Sequence, residues 1–472
     1  MGNSDKPEAL DWMPGDAVSC IASAERASLL VDSESYFVAL RRSLEKARHE
    51  VLILGWDIWP RVKLSRRHTR TSGDTEQLAV LLRKIASDRP DLQIRILIWK
   101  APAFVRMDRP AETRRLKNTD FPGNIQFYRD DKLPFNACHH EKLVVIDRNV
   151  AFLGGIDLTQ GRWSQIHHPL HRTRIDRDPD SENIRHDLQL CMQGEDCGDK
   201  LAKHFERRWR RVTGESLPVL KMPADTGHDV WPSPLAAHWT GLEIALSRTI
   251  GAYQSNPAIR EIEALYAAAI GEAKRFIYIE NQYLTSATIC DALIEKLTET
   301  ADLKVLVIGP REAGGTIEKI TMSKGRHDFW SAFRQAGLEH RIRIVYPSAQ
   351  DVAEHIRPIY VHSKLMIVDD RILIIGSANI SNRSMGLDTE ITVTIAAASE
   401  DERRVIRDRR NHLLARHTGS HHDVIDAIVD TDPFLVVETA GDTQRNLVDL
   451  PNSAFDHSKL SSVLNWLFDP KV

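Results

Sequence analysis

The sequence predicts an α/β fold with two pseudo-symmetric halves, in which mixed sheets are flanked by helices and both halves contribute to one active site. Three observations predict this bilobal fold. Apolar runs alternate with amphipathic stretches along most of the 472 residues. The same order of elements occurs twice. The pattern H-x-K-x-x-x-x-D occurs once in each half, from His140 to Asp147 and from His362 to Asp369.

The elements of the two halves match one by one. Their strands are apolar over most of their length, which indicates sheets that are buried on both faces. In the first half we predict a helix at 36–48 and strands at 51–58, 93–99, 125–130, 143–146, 151–157 and 187–194. Their counterparts are a helix at 259–273 and strands at 276–283, 303–309, 343–348, 365–368, 372–379 and 389–397. A charged helix with a solvated basic face is predicted at 400–418.

The boundary between the halves is expected near 222–234, where proline and glycine are frequent. We therefore expect an N-terminal tail at 1–29, a first half at 30–228, a second half at 229–419 and a C-terminal extension at 420–472.

Composition excludes several classes of protein. The net charge of −3 argues against a surface built mainly for nucleic acid. Five cysteines in so long a chain do not form a disulfide framework. The N-terminus lacks an apolar signal-peptide core, and no apolar run reaches the length of a membrane span. We expect a monomer that is cytoplasmic or peripheral at a membrane, and secretion without a cleaved signal stays open.

The two motifs contain the residue types that metal-free phosphodiester chemistry needs. A histidine and a lysine two positions apart on a strand project from the same face. One imidazole, of His140 or His362, attacks phosphorus and the other protonates the leaving oxygen. Lys142 and Lys364 hold the charged oxygens. We expect no metal and no cofactor. Asp147 and Asp369 complete the motifs, and we expect them to cap the following turn.

Further candidates occupy equivalent positions in the two halves. Asn379 can donate to a phosphate oxygen, while its counterpart Asp157 is better suited to orienting Lys142. Asp187 and Glu390, at the start of the closing strands, are candidates for fixing the histidine tautomers. The glycine turns place Gly155 and Ser377 among the expected substrate-binding residues.

Aromatic residues near the motifs form a weaker pattern. Trp163, together with Trp56 and Trp59, is expected to line a head-group pocket, with core packing as an equal alternative. The polar segment 161–186 contains four histidines. We favour a solvated loop over a metal site for this segment.

Three stretches resemble the phospholipase D superfamily, and most closely its eukaryotic-type catalytic core. They are HHEKLVVIDRNVAFLGGIDLTQGRW at 139–163, IYIENQYL at 277–284 and YVHSKLMIVDDRILIIGSANISNRSMGLDTEI at 360–391. The resemblance covers about 30–419 and implies a bilobal α/β fold, a covalent phosphohistidine and no obligatory metal. It implies that His140 is the nucleophile and His362 the general acid. By the same resemblance Lys142, Lys364 and Asn379 hold the phosphate, and Glu390 and Asp187 orient the histidines.

The leading function is therefore a phospholipase D acting on a phospholipid at a membrane surface. It would hydrolyse a phosphatidylcholine-like glycerophospholipid to phosphatidic acid and free head group, with transphosphatidylation to alcohols. The alternatives are a cardiolipin synthase-like phosphatidyltransferase, a nuclease or other phosphodiesterase of the same superfamily, and a non-enzymatic membrane tether. The intact motifs disfavour the tether.

Overall fold

The computed structural model places the two halves on one continuous sheet. It describes residues 8–65, 77–102, 116–117, 120–159, 161–162, 184–218, 228–312, 316–350, 356–439, 441, 445–451 and 469–470. The mixed α/β class and the flanking helices predicted from the sequence are confirmed.

The strands follow the predicted order in both halves. Those of the first half are β1 (Cys20–Val31), β2 (Glu50–Gly55), β3 (Gln93–Trp99), β4 (Ile125–Asp130), β5 (Leu143–Ile146), β6 (Val150–Gly154), β7 (Arg185–His186) and β8 (Leu188–Gln193). Those that follow are β9 (Trp239–Ile250), β10 (Ile259–Arg260), β11 (Phe276–Asn281), β12 (Lys304–Ile308), β13 (Ile342–Gln350), β14 (Ile356–Pro358), β15 (Tyr360–Val361), β16 (Lys364–Val368), β17 (Ile372–Gly376), β18 (Glu390–Ala396) and β19 (Arg445–Asp449).

Helices cover both faces of the sheet. They are α1 (Asp32–Lys46), α2 (Leu78–Asp88), α3 (Glu195–Thr213), α4 (Glu261–Gly271), α5 (Ala287–Glu299), α6 (Thr316–Gln335), α7 (Asn382–Gly386), α8 (Glu400–Thr418) and α9 (His422–Thr431). The predicted charged helix at 400–418 corresponds to α8. No described helix is both long and apolar enough to cross a membrane.

The pairing of strands repeats between the halves. In the first half the order is β4-β3-β2-β5-β6-β8-β1, and in the second it is β13-β12-β11-β16-β17-β18-β9. The first three strands of each series are parallel, and the pairs that follow are antiparallel. Each half therefore carries the mixed sheet that the sequence predicts.

Strands β1 and β9 join the two sheets and were not predicted. They pair antiparallel, with Cys20 opposite Leu246 and Ala27 opposite Trp239. On its other side β1 pairs with β8, and β9 pairs with β18. Most of β1 lies within residues 1–29, the stretch described from the sequence as an N-terminal tail, so residues 20–29 form part of the sheet. Small residues such as Ala22 and Ala24 alternate with polar ones there, which gives a weak strand signal. The domain boundaries stay predictions.

Three hydrophobic clusters hold the layers together. One is shared by both halves and includes α3 and α8 side chains such as Phe205, Trp209 and Leu413. The other two lie on the opposite faces of the two sheets, under α1 and α2 in the first half and under α4 and α5 in the second. Both faces of the central strands are therefore buried, which accounts for their continuous apolar sequences.

The C-terminal extension contributes to the fold. Helix α9 follows α8, and β19 pairs antiparallel with β13. All five cysteines are described and free, four of them buried.

Candidate active site

Short parallel pairings between the halves position the two motif histidines. The His140 backbone N–H donates to the Thr389 carbonyl at 3.0 Å, and the His362 N–H donates to the His186 carbonyl at 2.8 Å. In each case the acceptor lies one residue before a predicted orienting carboxylate, Glu390 or Asp187. Each histidine is thereby brought to the carboxylate of the opposite half.

His140 pairs with Glu390 across this junction. Its Nδ1 lies 3.1 Å from both carboxylate oxygens of Glu390 and 3.1 Å from the Ser377 carbonyl oxygen. A carbonyl only accepts, so Nδ1 carries the proton and Nε2 keeps its lone pair. Glu390 is fully buried and also accepts from the hydroxyls of Ser377 at 2.5 Å and Ser384 at 2.7 Å. Burial raises the pKa of Glu390 to about 8.

His362 pairs with Asp187 in the equivalent way. Its Nδ1 lies 2.7 Å from Asp187 Oδ2, and the Lys364 Nζ lies 3.2 Å from the same nitrogen. Burial raises the pKa of Asp187 to about 6. The two histidines differ in the other group that contacts Nδ1. For His140 this group is the Ser377 carbonyl, and for His362 it is the Lys364 amino group.

The lysines follow the histidines on the motif strands and are both buried. Lys142 Nζ lies 3.2 Å from Asp157 Oδ2 and donates to the His140 carbonyl at 2.6 Å. Lys364 Nζ donates to the His362 carbonyl and lies 3.4 Å from Gln282 Oε1. No carboxylate of the described residues lies within ion-pair distance of Lys364, and burial lowers its pKa to about 7.

The motifs of both halves act on one another electrostatically. Burial lowers the pKa of His140 well below its usual value, and Lys142 and Lys364 lower it further. Burial likewise lowers the pKa of His362, with Lys364 as the strongest neighbouring charge and Lys142 also contributing. Each lysine therefore acts on the histidine of the other half, so both motifs face one site. These lowered pKa values leave both imidazoles neutral near neutral pH.

Asn379 and Asp157 occupy equivalent positions with different contacts. The Asn379 side chain is 4% exposed, and its Oδ1 has no hydrogen-bond partner among the described residues. Asp157 is engaged, since its Oδ1 accepts from the Trp56 N–H at 2.9 Å and its Oδ2 faces Lys142. Asn379 thus has a buried acceptor without a partner among the described residues, whereas Asp157 positions Lys142.

Gly155 and Ser377 contact the orienting carboxylates. A Cβ atom at Gly155 would overlap Asp187 Oδ1, so only glycine lets that carboxylate reach His362. Ser377, its counterpart, donates to Glu390 through its hydroxyl. Their predicted contact with substrate stays a prediction, and the contacts described here support the carboxylates instead.

Asp147 and Asp369 lie at the far ends of the motif strands from the histidines. Both have positive φ angles, 49° each, in the turns to β6 and β17. Asp147 accepts backbone N–H bonds from residues 48, 49 and 50, each at 2.8 Å, and Asp369 accepts from residues 274, 275 and 276 at 2.6–2.9 Å. Their carboxylates thus fix the starts of β2 and β11, whereas the sequence analysis expected them to cap the turns into β6 and β17. The structure does not bring them to the histidines.

A buried polar network behind His362 was not predicted. Glu280 accepts from the ring nitrogens of His186 and His417 at 2.8 and 2.9 Å, and from the hydroxyls of Ser363 and Tyr278 at 2.6 and 2.5 Å. Burial opposes protonation of His186, but Glu280 and Asp32 outweigh it and raise the pKa of His186 to about 9.

This network corrects the interpretation of His186 as part of a solvated loop. His186 is 1% exposed, because it pairs with Val361 in the two-stranded sheet of β7 and β15. The atoms of His186, Glu280 and His417 lie close enough together to hold a metal ion. Glu280 already accepts four hydrogen bonds from protein groups. These bonds hold His186 in place and thereby support the neighbouring Asp187. The sequence signal of this cluster was Glu280 itself, a charged residue inside the apolar strand β11.

The predicted aromatic pocket is only partly described. Trp163 lies outside the described residues. Trp56 packs beside Trp99 with ring centroids 5.8 Å apart, and Trp59 contacts the first-half core. These contacts favour packing for the two described tryptophans.

A family model described as phospholipase D matches residues 43–296, which is more than half of the chain, and one described as cardiolipin synthase, PLD-like domain, matches 266–408. The chain belongs to the phospholipase D superfamily. The superfamily predicted from the two motifs is therefore confirmed.

Members of the phospholipase D superfamily from several eukaryotes resemble most of the chain. Phospholipase D1 of Schizosaccharomyces pombe is 24% identical over 84% of this chain and 36% of its own length. Phospholipase D alpha 4 of Arabidopsis thaliana is 25% identical over 80% of this chain and 62% of its own length. The chain thus spans less than two thirds of either relative.

A solved structure supports the phospholipase D fold of the chain. Phosphatidylserine synthase of Haemophilus influenzae superposes with a TM-score of 0.53 at 14% identity, covering 83% of this chain and 86% of that one. At this identity the likeness concerns the fold alone.

Proposed function

We propose that the protein hydrolyses a glycerophospholipid to phosphatidic acid and free head group through a phosphohistidine intermediate. The observation that carries the proposal is the crossed pairing of His140 with Glu390 and of His362 with Asp187, with a buried lysine beside each histidine. The phospholipase D relatives support the same activity.

His140 is the proposed nucleophile. Its Nδ1 proton is held by Glu390 and the Ser377 carbonyl, so Nε2 is free to attack phosphorus. The P–Nε2 bond forms as the bond from phosphorus to the head-group oxygen breaks. The reactive form has Glu390 ionised, because the carboxylate then stabilises the positive charge that develops on the imidazole. The Glu390 pKa of about 8 makes this the minor form at neutral pH.

His362 is the proposed acid for the leaving oxygen. Burial and Lys364 hold the pKa of His362 low, so it gains its proton only when a negative charge lies beside it. The phosphodiester anion supplies that charge. Neutral His362 then removes a proton from water as the new P–O bond forms and the P–N bond breaks.

Lys142, Lys364 and Asn379 are the proposed holders of the phosphoryl oxygens. Lys364 has no carboxylate within ion-pair distance among the described residues, although the charge of Asp187 acts on it, and a bound anion raises its lowered pKa. The buried Asn379 side chain offers the N–H groups of its amide as neutral donors beside these cations.

Phosphatidyl transfer is the second candidate function. The match of residues 266–408 to a model described as cardiolipin synthase, PLD-like domain, favours it. It uses the same intermediate, and only the acceptor differs, with an alcohol replacing water. Both functions place the protein at a lipid surface, so we also propose a peripheral membrane location. Three expectations stay predictions. They are that the protein is a monomer, that nucleic acid is not its partner and that its substrate resembles phosphatidylcholine.

The test offers mixed-lipid vesicles and a DNA panel to the full chain, with and without ethanol, and identifies products by mass spectrometry. We expect phosphatidic acid without ethanol and phosphatidylethanol with it, in a ratio that follows the ethanol concentration. Cleavage of DNA without cleavage of lipid would favour the nuclease alternative. Hydrolysis of lipid with no transfer product at high ethanol would contradict an accessible covalent intermediate.

A further inference from the structure

Helix α6 places a buried arginine, Arg326, beside the active site. A Cβ atom on the preceding Gly325 would overlap the side chain of Thr285, so the helix packs closely on the segment that follows β11. Arg326 is 7% exposed. Its one hydrogen bond within the described chain runs from Nη1 to the Arg311 carbonyl at 3.3 Å.

Arg326 has no carboxylate within ion-pair distance among the described residues. Burying a guanidinium group without a counter-charge costs far more free energy than one carbonyl contact returns. Burial accordingly lowers the pKa of Arg326, and the nearby ionisable groups that oppose this are the hydroxyls of Tyr360 and Tyr283. A buried cation without an anionic partner is expected where a ligand brings the anion.

The two tyrosines connect Arg326 to the phosphate site. Gln282 Nε2 donates to the Tyr283 hydroxyl at 2.9 Å and to the Tyr360 hydroxyl at 2.8 Å. The other end of the same amide, Gln282 Oε1, lies 3.4 Å from Lys364 Nζ. The Tyr360 ring also stacks near the His362 ring, with centroids 6.5 Å apart. Arg326 therefore lies on the His362 side of the site, where the leaving group departs.

Two cations on this side differ in their counter-charges. Lys364 lies beside His362, whose Nδ1 is 2.7 Å from Asp187 Oδ2, and Asp187 is the strongest negative charge that acts on Lys364. Arg326 has no carboxylate within ion-pair distance among the described residues, and the groups that act on it are the two tyrosine hydroxyls. The phosphodiester carries one negative charge, which Lys364 can offset, so Arg326 can take a second anion.

We propose that Arg326 binds an anionic group on the lipid head group, either a carboxylate or a second phosphate, next to the phosphodiester held by Lys364. This inference rests on the proposed function, because it names the substrate class of that site. The preferred lipid then carries its extra negative charge on the leaving group, unlike choline. A guanidinium group matches the bidentate geometry of either anion.

The test compares water-soluble dihexanoyl lipids, which remove any effect of vesicle charge. Phosphatidylserine supplies a carboxylate, a short-chain cardiolipin supplies a second phosphate, and phosphatidylglycerol supplies a neutral head group. We expect Arg326→Gln to lower kcat/KM for the two anionic head groups by roughly 10- to 100-fold relative to phosphatidylglycerol, as expected for one charge-assisted hydrogen-bonded pair. Loss with one anionic lipid only would identify which anion Arg326 binds.

Arg334→Gln is the matched control, since it removes the same charge from an exposed position of the same helix. Arg334→Gln should leave unchanged the ratio of kcat/KM between the anionic head groups and phosphatidylglycerol. Arg326→Lys, which keeps the charge, should retain part of the preference that Arg326→Gln removes. An equal fall for all three lipids would overturn the proposal, because Arg326 would then support the fold or the phosphodiester itself.

A binding measurement separates this proposal from the hydrolytic one. In a His140→Ala background, calorimetry with glycerophosphoserine, bis(glycerophospho)glycerol and glycerophosphoglycerol needs no turnover. Tighter binding of the charged compounds that disappears with Arg326→Gln supports the subsite even if no lipid is hydrolysed. Equal affinities in the presence and absence of Arg326 refute it even if hydrolysis is observed.

Discussion

The crossed carboxylates predict that Glu390 and Asp187 control different chemical steps. Glu390 faces the proposed nucleophile His140, whereas Asp187 faces the proposed acid His362. Glu390→Gln should therefore slow formation of the phosphohistidine, and Asp187→Asn should slow its breakdown. A substrate whose leaving group needs no proton, phosphatidyl p-nitrophenol, separates the two steps.

The size of the effect follows from the hydrogen bonds at Glu390. The carboxylate accepts from His140 and from two serine hydroxyls, and an amide can no longer accept from all three as an anion. Loss of a hydrogen bond to a charged group costs about 1.5–3 kcal/mol. This corresponds to a reduction of roughly 10- to 150-fold in the rate of formation.

Stopped-flow absorbance of p-nitrophenolate measures both steps. Its burst reports formation of the intermediate, and its steady phase reports breakdown. Glu390→Gln should slow the burst, while Asp187→Asn should keep the burst and slow the steady phase. Ser384→Ala, which removes one neutral donor to Glu390, should slow the burst by only about fivefold, equivalent to ~1 kcal/mol. A burst slowed by Asp187→Asn and unaffected by Glu390→Gln would refute the assignment and exchange the roles of the histidines.

Three further predictions concern turnover, pH and stability. His140→Ala should abolish turnover, whereas His362→Ala should accumulate a phosphohistidine with the nitrophenyl substrate, and mapping the adduct to residue 362 instead would reverse the roles. The kcat/KM profile should be bell-shaped, because the reaction needs Glu390 ionised and Lys364 protonated. Since the pKa of Glu390 (about 8) lies above that of Lys364 (about 7), only a small fraction of the protein meets both conditions, and that fraction is largest between these two values. Because bound anion raises the pKa of Lys364, the alkaline limb of kcat should lie at higher pH, and coincident limbs would contradict this. Asp369→Asn weakens three backbone hydrogen bonds and should lower the free energy of unfolding by about 2 kcal/mol, and an unchanged Tm in calorimetry would exclude that role.

Much of the fold was predictable because its signals are local. The apolar runs of the central strands and the paired motifs lie within short windows of sequence, and β3 and β4 have the predicted bounds. The strands β1 and β9 were missed, because their pairing depends on partners more than 200 residues away and not on a strong local pattern. Long-range pairing leaves little trace in a single sequence.

The candidate residues of the site could be proposed from the sequence, but the partner of each histidine could not. Asp187 and Glu390 occupy equivalent positions, which indicated that each orients a histidine without indicating which one. Which carboxylate orients which histidine depends on two short pairings between the halves. One joins β7 to β15, and the other joins His139 to Thr389. Arg326 had no motif at all, and only its burial beside Tyr283 and Tyr360 distinguishes it from the many surface arginines.

The crossed pairing has a consequence for how such a chain acquires two different histidines. Two identical halves related by a two-fold axis would satisfy the same contacts, with each supplying the carboxylate for the other. When both halves belong to one polypeptide, a substitution in one half leaves the other half unchanged. Glutamate opposite aspartate, asparagine opposite aspartate and serine opposite glycine are such departures, at 390 and 187, 379 and 157, and 377 and 155. Covalent linkage thus allows the two histidines to have different surroundings and different roles. A homodimer of identical subunits gives both histidines the same residues.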